Sequence, residues 1–309
     1  MVQERPTGLQ MAAESVRRNP CLEERVPDTG LRLFHVWKAQ ILSLADSQRQ
    51  PVAARVEALK AQSYDPFPAF WGRMLPDAAA FPRWAAGHWP VLSDAEHGVF
   101  RWPLKVDFAA LFALAAQRLA QVTGRRPSGD WYLVHADGGD MGGIGGTTMF
   151  ANMLNLGDDP VATLRFLLPH ELNHQVFGAA QPHVGETVVR RIVEEGLCCY
   201  VNWLCDERRH PPQEHAHFST ADWVWAEAHE QEVLRAVIPV LDSADAREIS
   251  RFAQWHVYPW EGAVDRLAYY LGFRLCEAYV RRHGEGAWCR LYELEPRAAW
   301  DASGYGELG

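Results

Sequence analysis

The chain has 309 residues, 48% of them hydrophobic and 22% charged, so it is long and apolar enough to bury a substantial core. A net charge of −9 without any basic block or stripe argues against a nucleic-acid binder, and six cysteines are too few for a disulfide scaffold. No run reaches the roughly 18 apolar residues of a membrane span, and the polar start Met1-Val2-Gln3-Glu4-Arg5-Pro6 lacks a signal core, which predicts a cytoplasmic, soluble protein.

Residues 1–30 are polar and punctuated by Pro6, Pro20 and Pro27; they read as an arm with one short helix at 9–18. From Leu31 to Leu44 apolar residues recur at spacings of three and four, which predicts an amphipathic helix. Pro51 suits the first turn of another helix, running to Gln62. Pro66, Pro68, Pro76 and Pro82 break 65–90 into short helices and aromatic turns. His88 and His97 stand singly there, the usual state of a surface or core histidine. Phe108, Leu111, Phe112, Leu119 and Val122 give Val106–Thr123 an apolar face, and Gly124 can stop that helix. Residues 1–125 thus read as a helical N-terminal region.

Trp131–Ala136 and Thr147–Leu156 read as strands. Between them Gly138–Gly146 holds six glycines in nine residues. It has neither the spacing of a dinucleotide fingerprint nor the Lys-Ser or Lys-Thr of a phosphate loop, so it reads as a flexible loop, or as one flanking a cleft. Asp159 and Pro160 are a cap and first residue of a helix, with Gly178 as its stop. Pro169 removes the bond to the Arg165 carbonyl at a cost of about 3 kcal/mol or more. The helix is therefore expected to kink before His170 or to begin near Pro169.

After a turn at Gln181–Gly185, Glu186–Tyr200 predicts a second helix. Cys198 and Cys199 are adjacent and point to different helix faces, so they form no Cys-x-x-Cys site; Cys205, Cys276 and Cys289 read as small core residues. Arg208–His217 carries three histidines in eight residues but no helical or hairpin frame, and reads as a solvated loop. Thr220–Leu241, Asp245–Gln254 and Ala263–Arg282 predict further helices, and the tail after Arg297 reads as disordered.

The chemistry concentrates in Pro169-His170-Glu171-Leu172-Asn173-His174. Residues four apart share a helix face, so His170 and His174 can reach one Zn²⁺ at about 2.0–2.1 Å, while a catalytic zinc wants three protein ligands. Glu171 can then address a water and not the metal. Three residues compete for the third position: Glu195, which shares a face with Val188, Ile192 and Cys199; Glu194, four residues from Arg190 and able to form a surface pair with it; and His183, in the turn. An inert buried histidine pair is the bland alternative.

His170-Glu171-x-x-His174 followed about twenty residues later by Glu195-Gly196 resembles the gluzincin class of zinc metallopeptidases. The wider pattern, with Glu195-Gly196-Leu197 and Ala268-Tyr269-Tyr270-Leu271-Gly272-Phe273-Arg274, is similar to a bacterial family of predicted zinc-dependent proteases over roughly residues 130–295. The resemblance implies Glu195 as third ligand and Met149–Asn155 as an edge strand that pairs with extended substrate. It also implies Tyr269 as the donor that stabilises the oxyanion, ahead of Tyr270, Arg266, Tyr258 and His256. Thermolysin-like enzymes place an Asp four residues past the ligand glutamate; here that residue is Cys199, so the group orienting a zinc histidine is expected elsewhere, at Asn202 or a main-chain carbonyl. The metzincin pattern fails, since Phe177 and Ala180 occupy its Gly and His positions.

The expectation is an α+β, predominantly helical protein, with a zincin-like region over 126–309 holding a small sheet and the His-Glu-x-x-His helix. It would hydrolyse peptide or protein substrates with Zn²⁺ on His170, His174 and Glu195, and with Glu171 as general base. The rivals are a non-catalytic zinc-containing binding module and a zinc amidase acting on a non-peptide amide.

Overall fold

The computed structural model describes residues 8–75, 77–93, 101–136 and 139–308. His97, the side chain of His88, residues 1–7 and Gly138 lie outside what is described. Helices dominate, with one mixed five-stranded sheet, so the class is α+β. The chain divides into two compact units, 1–116 with 127–171 and 117–126 with 172–309.

The first unit contains the sheet. Helix α1 (Gly8–Arg18) precedes β1 (Glu23–Arg25), β2 (Gly30–His35) and α2 (Val36–Ser47). The single helix expected from Leu31 to Leu44 is thus a strand running into a helix. Leu31, Leu33 and His35 are buried and alternate with half-exposed Arg32 and Phe34, a period of two that the apolar run into α2 concealed. Next come α3 (Val52–Leu59), which continues as a π turn over Lys60–Tyr64, then α4 (Pro68–Met74), α5 (Ala80–Ser93) and α6 (Phe108–Thr123). Gly124 ends α6 at φ +69, as its sequence position predicts.

β3 (Ser128–Val134), β4 (Met141–Gly145) and β5 (Thr148–Asn152) complete a sheet of order β1-β2-β3-β5-β4. β2, β3 and β5 run parallel, and β1 and β4 pair antiparallel at the two edges. Two expectations change here. β5 is an interior strand, not the edge that the resemblance implied for Met149–Asn155. The edge is β4, built from the glycine-rich stretch that read as a loop. Gly142 and Gly143 hide its alternation, and Gly145 (φ +111) and Gly146 (φ +60) make the turn into β5. Arg73 of α4 donates to the carbonyls of Ile144 and Gly145 at the end of this edge. The region expected to be helical, 1–125, therefore supplies two of the five strands, and the compact units divide elsewhere than at 125/126. Leu31, Leu33, Trp131 and Leu133 are buried, and Trp131 packs edge-on against Phe112 at 4.9 Å. At the end of β3 the Asn152 amide accepts from the Ala136 N–H and donates to the Ala136 carbonyl.

The dividing line between the units falls within α7 (Pro160–Ala180), between Glu171 and Leu172. α7 is one continuous helix of 21 residues with Pro169 inside it, and it passes Gly178. Asp159 caps it, its Oδ1 accepting from the Ala162 N–H at 3.0 Å. The second unit continues with α8 (Val188–Cys205), α9 (Pro212–His215), α10 (Thr220–Ala228), α11 (Glu230–Val237), α12 (Ala246–Ala253), α13 (Leu267–His283) and α14 (Pro296–Ser303). α8 begins at a Thr187 cap that accepts from the Arg190 N–H. Its first N–H groups, on Val188 and Val189, donate to the carbonyls of Ser243 and Leu241.

α8 and α13 meet at two glycines. A Cβ on Gly196 would lie 2.0 Å from the Gly272 carbonyl carbon, and one on Gly272 would lie 2.0 Å from the Ile192 oxygen. Only residues without a side chain allow this approach. The tail expected to be disordered is ordered: Trp300 and Tyr305 are buried, and Tyr305 Oη donates to Glu230 Oε1 at 2.6 Å. Among the described residues, no helix is long and apolar enough to cross a membrane.

Candidate metal centre

His170 and His174 stand one turn apart on α7, and Glu195 lies in the first half of α8. One potential ligand atom from each falls within 4.8 Å of the other two. His174 Nε2 is 3.4 Å from Glu195 Oε2. Ligand atoms around a tetrahedral zinc with bonds of about 2.0–2.1 Å are about 3.3 Å apart, so this pair already has the spacing of two ligands. The other Glu195 oxygen, Oε1, accepts from Arg191 Nη1 at 3.3 Å, which leaves Oε2 turned toward the histidines. The carboxylates are also paired with cations, Glu194 with Arg190 and Glu195 with Arg191.

Glu194 takes a different part from the one its spacing suggested. Its Oε1 bonds His174 Nδ1 at 3.0 Å, and its Oε2 accepts from Arg190 Nε at 3.4 Å. The Arg190–Glu194 pair exists, but it is buried, with side chains about one-tenth accessible. A carboxylate on Nδ1 fixes ring orientation and leaves Nε2 for a metal. The orienting group is thus Glu194, and not Asn202 or a main-chain carbonyl. Asn173 secures α7 from its other side, donating to Cys198 Sγ at 3.4 Å and accepting from Tyr292 Oη.

Electrostatics follow from this enclosure. Burial disfavours charge on His174, but Cys198, Glu195 and Glu194 outweigh it and hold the imidazole well above the usual histidine range. Burial also works against charge on Glu194, yet the hydrogen bond and charge of His174 and the charge of Arg191 keep its carboxyl below the usual range. Burial pushes the Cys198 thiol up to about 11 and raises the Cys199 thiol well above the usual range.

Comparison with protein-family models, with curated proteins and with solved structures gives no match. The reading of this site therefore rests on its own geometry.

The remaining candidates separate cleanly. His183 is exposed and is not part of the three-residue group. Glu171 is buried on α7 beside His170. Tyr269 is half-buried, interacts with the Arg191 charge and packs edge-on against His217 at 5.8 Å. Tyr270 is fully buried and donates to Glu230. Arg266 bonds Asp265 and the His217 carbonyl and lies 3.6 Å over the Trp255 ring. Tyr258 is exposed, and the His256 N–H donates to Asp265. Sequence reasoning missed Arg191 as the residue holding Glu195. Its signal was present in the four-residue spacing of that pair.

Proposed function

We propose that the protein is a zinc-dependent peptidase of gluzincin type, with His170, His174 and Glu195 as the metal ligands. The observation that carries this reading is the convergence of Glu195 Oε2 on His174 Nε2 while Glu194 occupies the opposite ring nitrogen. That arrangement sets one ring nitrogen and one carboxylate oxygen toward the same point, where a dication would take the place of the proton that His174 otherwise holds. Two imidazoles and one carboxylate form a donor set suited to zinc and leave a position open.

When bound, zinc supplies Lewis acidity, lowering the pKa of a water toward about 7 and polarising a carbonyl. Glu171, next to His170 and turned off the ligand face by its position, takes the proton from the attacking water. It delivers that proton to the leaving amine. Arg191 holds Glu195 in place, and Glu194 holds the His174 ring. Tyr269, on the Arg191 side of α13, donates to the oxyanion; a donor of this kind contributes about 10²–10³ in rate. β4, at the sheet edge, is the segment suited to main-chain pairing with an extended peptide.

The test is metal content and peptide cleavage in native protein beside Glu171→Gln. Equal zinc in both, with cleavage falling by about 10²–10⁴ in the variant, is the expected result. A zinc-loaded native protein that cleaves nothing in a broad peptide library refutes the peptidase reading, and so does a Glu171→Gln variant of undiminished rate.

A further inference from the structure

The three-histidine stretch after α8 is folded, not a solvated loop. Asp206 closes α8, and the chain then reverses through Glu207 and Arg208, both left-handed at φ 56 and 61. Pro211 and Pro212 stiffen the start of α9, whose last residue is His215. This path brings Asp206, His210 and His215 together, with one nitrogen or oxygen from each within 4.8 Å of the others. Asp206 Oδ2 lies 2.8 Å from His210 Nδ1 and 3.4 Å from His215 Nε2. It also accepts the His210 N–H at 2.9 Å.

We propose that Asp206, His210 and His215 form a second metal site, for a transition dication such as zinc. The donor set decides the class of ion. Two imidazoles and a carboxylate suit zinc, nickel, copper or iron, whereas magnesium and calcium prefer oxygen throughout. The spacing is close to what such an ion needs. The tetrahedral separation is about 3.3 Å for bonds of about 2.0–2.1 Å, which the His215–Asp206 pair matches, and the His210–Asp206 pair must open by about 0.5 Å. Access is also provided: His215 is fully buried and fixed, while the His210 side chain is 51% accessible, so an ion can enter from solvent on that side. Eleven residues of helical rise, about 1.5 Å each, put Asp206 roughly 16 Å along α8 from Glu195. The two sites therefore bind separate ions. An ion here pins α9 to the C-terminal end of the helix that carries Glu195. The competing account is that Asp206 only caps the reversal by accepting hydrogen bonds from His210, in which case no metal is involved.

The two accounts are separated by titrating metal-free, full-length protein with Zn²⁺ and counting bound ions after dialysis. Co²⁺ serves as a spectroscopic probe of imidazole ligation. Native protein is expected to hold two ions. His210→Ala, at an accessible side chain, should weaken only one of them, by more than the roughly 10–100-fold that loss of a mere supporting partner costs. His174→Ala should remove the other ion and report this site alone, so failure of either site does not mask the other. In the His174→Ala background Zn²⁺ should raise the melting temperature, and adding His210→Ala should abolish that rise. No ion bound by His174→Ala protein, or an ion held there as tightly with His210→Ala as without it, overturns the proposal.

Discussion

Replacing Gly196 by alanine tests how the third ligand is placed. The added methyl would sit 2.0 Å from the Gly272 carbonyl carbon, 2.1 Å from its Cα and 2.5 Å from its oxygen. All three are backbone atoms, so no side chain can swing aside, and α8 must retreat from α13 by about 1.5 Å to restore van der Waals contact. Overpacking of this kind costs about 1–3 kcal/mol and sometimes more, and a rigid obstacle places it at the upper end. Alanine regains about 1 kcal/mol through helix propensity, which leaves a net loss of about 2 kcal/mol. Gly178, inside α7 with nothing within 4 Å of a built Cβ, is the control: Gly178→Ala should stabilise by up to about 1 kcal/mol. Urea unfolding measures both, and a chelator competition measures zinc affinity. Glu195 is the neighbouring residue, so Gly196→Ala should also weaken zinc binding while Gly178→Ala does not. A Gly196→Ala protein with native stability and native zinc affinity would refute the close-approach argument.

Glu194→Gln keeps the shape of the residue on His174 Nδ1 but removes its charge, and zinc affinity should drop by about 10–100-fold; unchanged affinity in a chromophoric-chelator competition would show that Glu194 does not orient the ring. His183→Ala should leave zinc content as it is, whereas a loss would restore it as a ligand. Burial lowers the His135 pKa to about 3 from about 6.5 when unfolded. The unfolded chain therefore takes up a proton that the folded one refuses, and stability should fall as pH drops from about 6.5 toward 3, at up to about 1.4 kcal/mol per pH unit. His135→Gln should show a shallower acid-side decline, and an identical slope would count against the buried neutral imidazole. Trp300→Ala should cost about 3–5 kcal/mol, whereas a disordered tail would lose nothing.

What could be read from the sequence was what lies close together along it. His170 and His174 sit one helical turn apart, so spacing alone places both on one face. The cap at Asp159 and the stop at Gly124 are equally local. Glu195 was favoured over Glu194 by the helix face it shares with Val188, Ile192 and Cys199, and by the resemblance in addition. The part played by Glu194 depends on which way α8 faces α7, and that is set by contacts such as Asn173 with Cys198 and Tyr292. β4 escaped notice because glycine carries no side chain to alternate. β2 was read as helix because its alternating leucines run directly into the apolar residues of α2. Trp300 and Tyr305 were the overlooked signs that the tail packs. Asp206, His210 and His215 looked like a polar loop because the reversal that gathers them uses left-handed Glu207 and Arg208, which no turn residue announces.

The start of α8 depends on acceptors that come much later in the chain, the carbonyls of Leu241 and Ser243, and its middle is seated against Gly272. During synthesis the pair His170 and His174 leaves the ribosome well before either support exists. A nascent or truncated chain ending before about residue 243 thus carries both imidazoles yet lacks the scaffold that aims Glu195 at them. On the proposed reading, capture of an ion by His170, His174 and Glu195 together would be deferred until the C-terminal helices have been made.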